Sequence, residues 1–429
     1  MSQISNRQNW VVIVGLVREP NVFLSKLKAL FKWRSEGLIE GIVYSTWIGE
    51  INKYEGLRNQ LEKEEVTIVE IQEPTLRIPG HILHQMKAIY YGLEACPENA
   101  YILKMRPDLG GLDSKITKIL SKNIDLTVDY SDGWPRIFQE RILIMGGFIA
   151  HPFYLNDILF YGRKPDIQKL IHFDLQYEVI FSGTGPEQWF HLHPFIDKFP
   201  IFSSYFSIYP GVFHGDRDRS LRYTNYFISS PFLLKVFMTY VLILSRYYRI
   251  GAPIDSSERV ERELKIIEQI PYADLFREGM TIAGIKCKMG QHMNSFNGET
   301  WIHALLNRRF AEDEVGNRLY EALEEVKKWS FHQNWVANSL NPHPDVVKVS
   351  QDFEELLSFK QHKISSRYES KDGKKFIVRG GMNRFQIINN DNKHNKLENQ
   401  ILELRRQVLH LNQELEKKNR ENQNFKESN

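Results

Sequence analysis

Cysteine is scarce in this chain, with only Cys96 and Cys287 among 429 residues. Two thiols make neither a disulfide framework nor a four-ligand zinc cluster, and a reducing compartment fits them best. Neither carries a motif that marks a nucleophile, so both are expected to be core thiols. An excess of one charge is also lacking: 56 Lys plus Arg against 53 Asp plus Glu leave a formal +3. So small an excess sets up no general field for a polyanion, which argues against nucleic acid and makes any anion site local. Long apolar runs are missing too. The most apolar stretch, Phe232 to Tyr248, is interrupted at Thr239 and Tyr240 and falls short of the ~20 residues that span a bilayer. The opening Met1-Ser-Gln-Ile-Ser-Asn-Arg has no charged stretch followed by an apolar core. It does not read as a secretion signal, and the expected location is cytoplasmic, or peripheral on the inner face of the cell membrane. Three motifs are absent as well. No G-x-G-x-x-G follows the first strand, which counts against a dinucleotide oxidoreductase. No G-x-x-x-x-G-K-[ST] marks a P-loop NTPase, and no G-x-S-x-G marks an α/β-hydrolase.

What remains is a globular mixture of 42% hydrophobic and 12% aromatic residues, able to bury a sizeable core. The length corresponds to about three domains of roughly 150 residues each. Over the first 225 residues apolar runs alternate with helical spacing. Val11 to Leu16, Gly41 to Trp47, Val66 to Ile71 and Tyr101 to Met105 read as buried strands. Asn21 to Trp33, and a segment opened by Pro79-Gly80 with Ile82, Met86, Ile89 and Leu93 on one face, read as helices. That alternation predicts an α/β domain with a parallel or mixed sheet covered on both faces. The expected organisation is a first domain over 1–225 and a helical region over 226–345. A small β-meander over 346–392 and a heptad-bearing helix over 393–429 follow. Phe232 to Tyr248, with Lys235 near its start and Arg246 and Arg249 at its end, is either a buried helix or an interfacial one whose basic flank meets lipid headgroups. Leu397, Ile401, Leu404, Val408, Leu411 and Leu415 repeat at 4-3 spacing, the pattern of a short coiled coil and hence of a homo-oligomer.

In doubly wound sheets ligands lie beyond the carboxyl ends of the strands, which directs attention first to the strand ends. Gly15 and Arg18 follow the first strand, and Trp47 ends the second, where it is either a stacking surface for a base or a core aromatic. Arg106 and Asp108 follow the fourth. A carboxylate there can hold Mg²⁺ or Mn²⁺ against a diphosphate, since hard cations prefer oxygen ligands; it can equally cap the helix that follows. Farther on, Pro186 and Glu187 open a helix after a Gly/Thr loop. Its positive end is expected to lower the pKa of Glu187 and orient it as a general base or a hydroxyl-binding carboxylate, or simply to favour any acidic residue there. Finally, His214-Gly-Asp-Arg217-Asp-Arg219, with Arg222 beyond, joins an imidazole suited to a metal with guanidinium groups suited to phosphates; the alternating signs also suit a surface loop of ion pairs.

The order of these segments resembles the GT-A glycosyltransferases, and within them the WavE-like lipopolysaccharide synthesis family. The segments that carry it are the first strand with Gly15, Ser45-Thr46-Trp47, His84-Gln85-Met86, Tyr101-Ile-Leu-Lys-Met-Arg-Pro-Asp108 and Gly185-Pro-Glu187-Gln188-Trp. They cover about the first half of the chain. The resemblance implies a GT-A-like nucleotide-sugar-binding domain with a mixed, mainly parallel sheet. Its donor side would comprise Gly15, Arg18, Trp47, Gln85, Arg106, Asp108, Arg217, Arg219 and Arg222. Asp108 and His214 would hold a divalent cation, manganese or magnesium, although Arg106 stands where the first acidic residue of the DxD-type motif is expected. Gly146 and Gly147 would line the acceptor side and Glu187 would be the base. The partners implied are a nucleotide-sugar donor and a glycan or lipid-linked glycan acceptor of a lipopolysaccharide or capsule. Two alternatives use the same features: a nucleotidyl- or phosphotransferase in the same crevice, and a non-catalytic membrane-proximal scaffold.

Overall fold

The computed structural model describes residues 7–75, 81–108, 113–121, 124–131, 133–148, 151–173, 186–199, 201–208, 217–251, 257–277, 281–282, 287–289, 292–294, 297–328, 366–369, 375–379 and 386–388. The chain forms two compact units, residues 1–358 and 359–429. The expected division near residue 225 lies inside the first of them.

Seven strands make the central sheet of that unit: β1 (Asn9–Val14), β2 (Gly41–Trp47), β3 (Thr67–Ile71), β4 (Tyr101–Met105), β5 (Ile142–Ile144), β6 (Phe160–Arg163) and β7 (Tyr248–Ile250). Their order is β3-β2-β1-β4-β6-β5-β7. All run the same way except β6, which is antiparallel to both β4 and β5. Val11 to Val14 and all of β2 are buried, as continuous apolar strands covered on both faces must be. Successive strands step outward from β1 to β3, then the chain returns to place β4 on the other side of β1. The gap between the carboxyl ends of β1 and β4 is therefore the switch point at which an α/β sheet opens a crevice.

The helices of the first half are α1 (Pro20–Ser35), α2 (Leu57–Lys63), α3 (Ile82–Glu94), α4 (Asp113–Ser121) and α5 (Lys164–Gln168). Proline at the first position starts α1 with φ already suited to a helix, and Phe23, Leu27, Leu30 and Trp33 form its buried face. Those four join Val11, Ile13, Tyr44, Leu103 and Met105 in the principal core.

Helices α6 (Pro186–Ile196), α7 (Ile201–Ile208), α8 (Arg217–Ser229) and α9 (Pro231–Tyr247) follow. Ser230 caps α9 through Leu233 N–H, and twelve of its side chains, from Phe232 to Tyr247, are buried. Tyr240 packs on Phe153, and Tyr247 meets Trp134, Phe138 and Phe195. Its basic flank is used internally: Lys235 pairs with Glu325 at 2.5 Å, and the Arg246 guanidinium lies 4.4 Å from the centre of the Trp134 ring. Of the two readings open for this segment, the structure shows the buried helix. Among the described residues no single helix is long and apolar enough to cross a membrane; Tyr223–Ser229 and Pro231–Tyr247 pass that test only together, across a 90° bend.

Helices α10 (Ser257–Ile267), α11 (Tyr272–Arg277), α12 (Gly298–Leu306) and α13 (Glu314–Lys328) complete the helical region. It also contains a short antiparallel pair, Cys287–Met289 with His292–Asn294, which its overall helical pattern hides. In the second unit Ser366–Glu369, Lys375–Arg379 and Gln386–Ile388 form a three-stranded antiparallel sheet, the expected meander. The heptad segment 393–429 lies outside the described residues.

Candidate active site at the carboxyl ends of β1 and β4

The loop after β1 is built before any charged group enters it. Gly15 takes φ +112°, a conformation that side chains disfavour. Its N–H bonds to Ser45 O at 3.1 Å, and its carbonyl accepts from Tyr44 Oη and Thr46 Oγ1, both at 3.1 Å. Glu50, buried beyond the end of β2, accepts the Val17 N–H at 3.0 Å, and the Tyr54 hydroxyl donates to Val17 O. Four side chains of one neighbouring segment thus set the path that delivers Arg18. Its side chain is 64% exposed, and Nη1 lies 3.6 Å from Asp108 Oδ2.

The turn after β4 is fastened from the other side. Lys26 of α1 donates to the carbonyls of Arg106 and Pro107, the latter at 3.0 Å. Arg106 then grips Asp108 with two parallel hydrogen bonds, Nε to Oδ1 at 3.0 Å and Nη2 to Oδ2 at 2.7 Å. This fork-to-fork pairing is among the strongest side-chain contacts. Burial opposes ionisation of Asp108, yet Arg106 and Arg18 together hold its carboxyl below the usual range.

Behind the turn lies a group that the strand pattern conceals. Lys104, in β4, is 0% exposed. It donates to the Asp157 carbonyl and sits 5.1 Å from the centre of the Phe160 ring. Burial pulls its pKa down to about 8, partly offset by the negative charge of Asp157. Asp157 is itself only 4% exposed. Its loop is tied in place by Asn156, whose N–H bonds to Gly146 O at 2.7 Å and whose Oδ1 accepts from Ile158 N–H at 2.7 Å. Gly147 lies against the same loop. A β-carbon there would come within 2.7 Å of Tyr154 O, so Gly147, one of the two glycines expected on the acceptor side, lets this backbone approach.

Glu187, in the first turn of α6, completes the group. The helix N-terminus was expected to lower its pKa. Instead its pKa is raised, because burial and the nearby Asp157 charge outweigh its backbone hydrogen bond and the pull of Arg106. The next residue, Gln188, is fully buried and donates to Pro152 O at 2.9 Å, which fixes the start of α6 against the Asp157 loop. Arg106 in turn feels Asp108, Asp157 and Glu187. Arg18, Lys104, Arg106, Asp108, Asp157 and Glu187 thus form one electrostatic neighbourhood, of which Lys104 and Asp157 were not anticipated. A lysine inside an apolar strand is the signal for the first, since lysine is almost never fully buried without a partner. No comparable signal marks Asp157, whose place depends on loop packing.

Other expected residues fall elsewhere. Trp47 is 7% exposed and lies edge-on to His84 at 5.5 Å, as a core aromatic. The exposed apolar side chain at that strand end is Ile48, at 65%. Gln85 is half-buried on α3, and no partner is found for its buried Oε1. His214 lies outside the described residues, and Arg217, Arg219 and Arg222 belong to α8 only by their backbone. His191 is wholly buried, and that burial pulls its pKa down to about 3. Cys96 is a core thiol, pushed up to about 12 by burial.

The residues at Asp108 do not fit a divalent cation. Both carboxylate oxygens are engaged by Arg106, and Arg18 stands beside the second. A cation there would face two guanidinium groups, each opposing it by about 4 kcal/mol per unit charge at 4 Å and an effective dielectric near 20. Among the described residues no three His, Cys, Asp or Glu side chains converge to hold a metal.

No family model matches the chain, so the expected WavE-like membership has no support from that comparison. No curated protein matches it either. Among solved structures, the crystal structure of S. aureus TarS 1-349 is similar at 13% sequence identity and a TM-score of 0.27, over 89% of this chain and 100% of that one. A TM-score so low carries no argument. The conclusion rests on the chain's own strands: a mixed α/β fold with a mainly parallel sheet and charged side chains gathered at its switch point.

Proposed function

We propose that the chain is a glycosyltransferase, moving a sugar from a nucleotide-sugar donor to a hydroxyl of a glycan or lipid-linked glycan destined for a bacterial surface polysaccharide. The carrying observation is that Arg18 and Arg106 converge on Asp108 at the switch point of the sheet while a partly buried carboxylate, Glu187, lies in the field of Arg106. The motif order supports the same reading. In such a transfer the acceptor oxygen attacks the anomeric carbon, the bond from that carbon to the diphosphate oxygen breaks, and the acceptor proton must leave. Arg106 and Arg18 supply positive charge where the leaving diphosphate gains negative charge. Ionised Glu187 accepts the proton, and a pKa above the ordinary carboxylate range makes it a better base.

The test supplies UDP-, GDP-, CMP- and dTDP-sugars with a bacterial glycan fraction and follows free nucleotide. Release that depends on acceptor is expected from one donor, and Glu187→Gln should lower turnover by about 10²–10⁴-fold while leaving donor affinity near that of the parent. Near-normal turnover in that variant refutes the role of Glu187. Release of sugar 1-phosphate in place of nucleoside diphosphate would instead mark a nucleotidyltransferase, which breaks the bond between the two phosphates.

A further inference from the structure

We propose that the anion bound in this crevice is held by the protein's own cations, with no divalent metal between them, and that Asp108 is the internal counter-ion that occupies Arg106 until the anion arrives. The inference rests on the donor-binding reading above and specifies how the diphosphate end is recognised.

Asp108 is the residue that the DxD-type resemblance would give to a metal, but its contacts are those of an ion-pair partner. Arg106 meets it with two aligned hydrogen bonds, and Arg18 approaches the same Oδ2 at 3.6 Å. A phosphate presents paired oxygens to a guanidinium in the same geometry as a carboxylate does. A diphosphate can therefore replace Asp108 on the Arg106 fork without rebuilding the site. Arg18 is well placed to join it, being largely exposed on a loop whose backbone is already fixed by Tyr44, Thr46, Glu50 and Tyr54. Lys26 and Lys104 are spent on backbone carbonyls, of Arg106 and Pro107 and of Asp157. They add positive charge behind the turn and hold it in shape. Four cations thus surround the turn, and both oxygens of its carboxylate, Asp108, are already engaged by Arg106.

The roles of Asp108 separate the two cases by sign. A metal ligand is required for anion binding, whereas a competing counter-ion weakens it. The experiment titrates the full chain with inorganic pyrophosphate by calorimetry in EDTA, which removes any dependence on the base or sugar. Binding is expected in EDTA, with Arg106→Ala at least about 10-fold weaker. Asp108→Asn is expected to bind as tightly as the parent or up to about 10-fold tighter. Circular dichroism checks that both variants are folded. If Asp108→Asn does not fold, the exposed Arg18→Ala serves, expected at about 3-fold weaker or more, and unchanged affinity there overturns the proposal. Absence of binding in EDTA also overturns it, as does loss of binding in folded Asp108→Asn. Failure of the glycosyltransferase reading looks different: pyrophosphate still binds in EDTA with these variant effects, but no sugar nucleotide is consumed with any acceptor.

Discussion

Glu187 opens a helix, where the backbone N–H groups favour an ionised carboxylate, yet burial and Asp157 set its pKa above the ordinary value. The two effects are of different kinds, and only the first can be read from sequence, through Pro186 and the turn before it. Burial depends on which loop lies over the residue. The consequence for activity is an acid limb. A base must be ionised, so kcat/KM should fall as pH drops through a value above that of a free glutamate, and Glu187→Gln should remove that limb along with most of the rate. The consequence for stability has the opposite sense. The folded state holds the proton more tightly than the unfolded chain, so stability is lost as pH rises from the unfolded value, about 4.3, through the raised folded one. Above that window Glu187→Gln should melt at the same temperature as the parent or higher, and below about pH 4 the two should converge. A variant less stable than the parent at pH 8 would show that the ionised carboxylate contributes contacts that offset its burial.

At the scale of the element, the loop after β1 illustrates how a strand end becomes a site. Nothing in Leu16-Val17-Arg18 dictates its path; the path is imposed from β2 through Tyr44 and Thr46 and from the segment after it through Glu50 and Tyr54. Glu50→Ala would leave the buried Val17 N–H without its acceptor, a loss of about 1–3 kcal/mol. Because Arg18 lies one residue away, the variant should also weaken anion binding more than an equally destabilising change in a distant core does. Urea unfolding paired with pyrophosphate titration measures both effects, and a variant with full anion affinity would separate the loop from the site. The same distinction governs what was legible in the sequence. Strands β2 and β4 are as the apolar runs predict, from Gly41 to Trp47 and from Tyr101 to Met105, because a buried parallel strand writes itself as a continuous hydrophobic run. Strands β5, β6 and β7 have three or four residues each, too few for any period to show. Arg106 and Asp108 were legible as a pair of site residues. That they bind each other was not, since a charge two positions away along a turn can face either way.

For the molecule as a whole, the short strands decide where the chain can be divided. Strand β7 follows directly from α9, pairs parallel with β5 and closes the edge of the sheet. Helix α9 sends Tyr240 and Tyr247 into aromatic contacts with Trp134, Phe138, Phe153 and Phe195, all from the half of the chain that holds the candidate site. Composition changes near residue 225 because a mostly apolar helix begins soon afterwards, but that helix is apolar because it is enclosed, and what encloses it includes the preceding segment. A chain ending at residue 225 would therefore lose a sheet edge and leave the partners of Tyr240 and Tyr247 facing water. It is expected to be insoluble, or to lack a cooperative thermal transition. A chain ending at Ser358 retains every element of the first unit and should melt within a few degrees of the full-length protein and bind pyrophosphate equally well. Light scattering on the same pair tests the heptads: removal of residues 359–429 should lower the oligomeric mass if Leu397, Ile401, Leu404, Val408, Leu411 and Leu415 form an intermolecular seam. A cooperative, anion-binding fragment 1–225 would place the boundary back at the change in composition and make α9 a separable element.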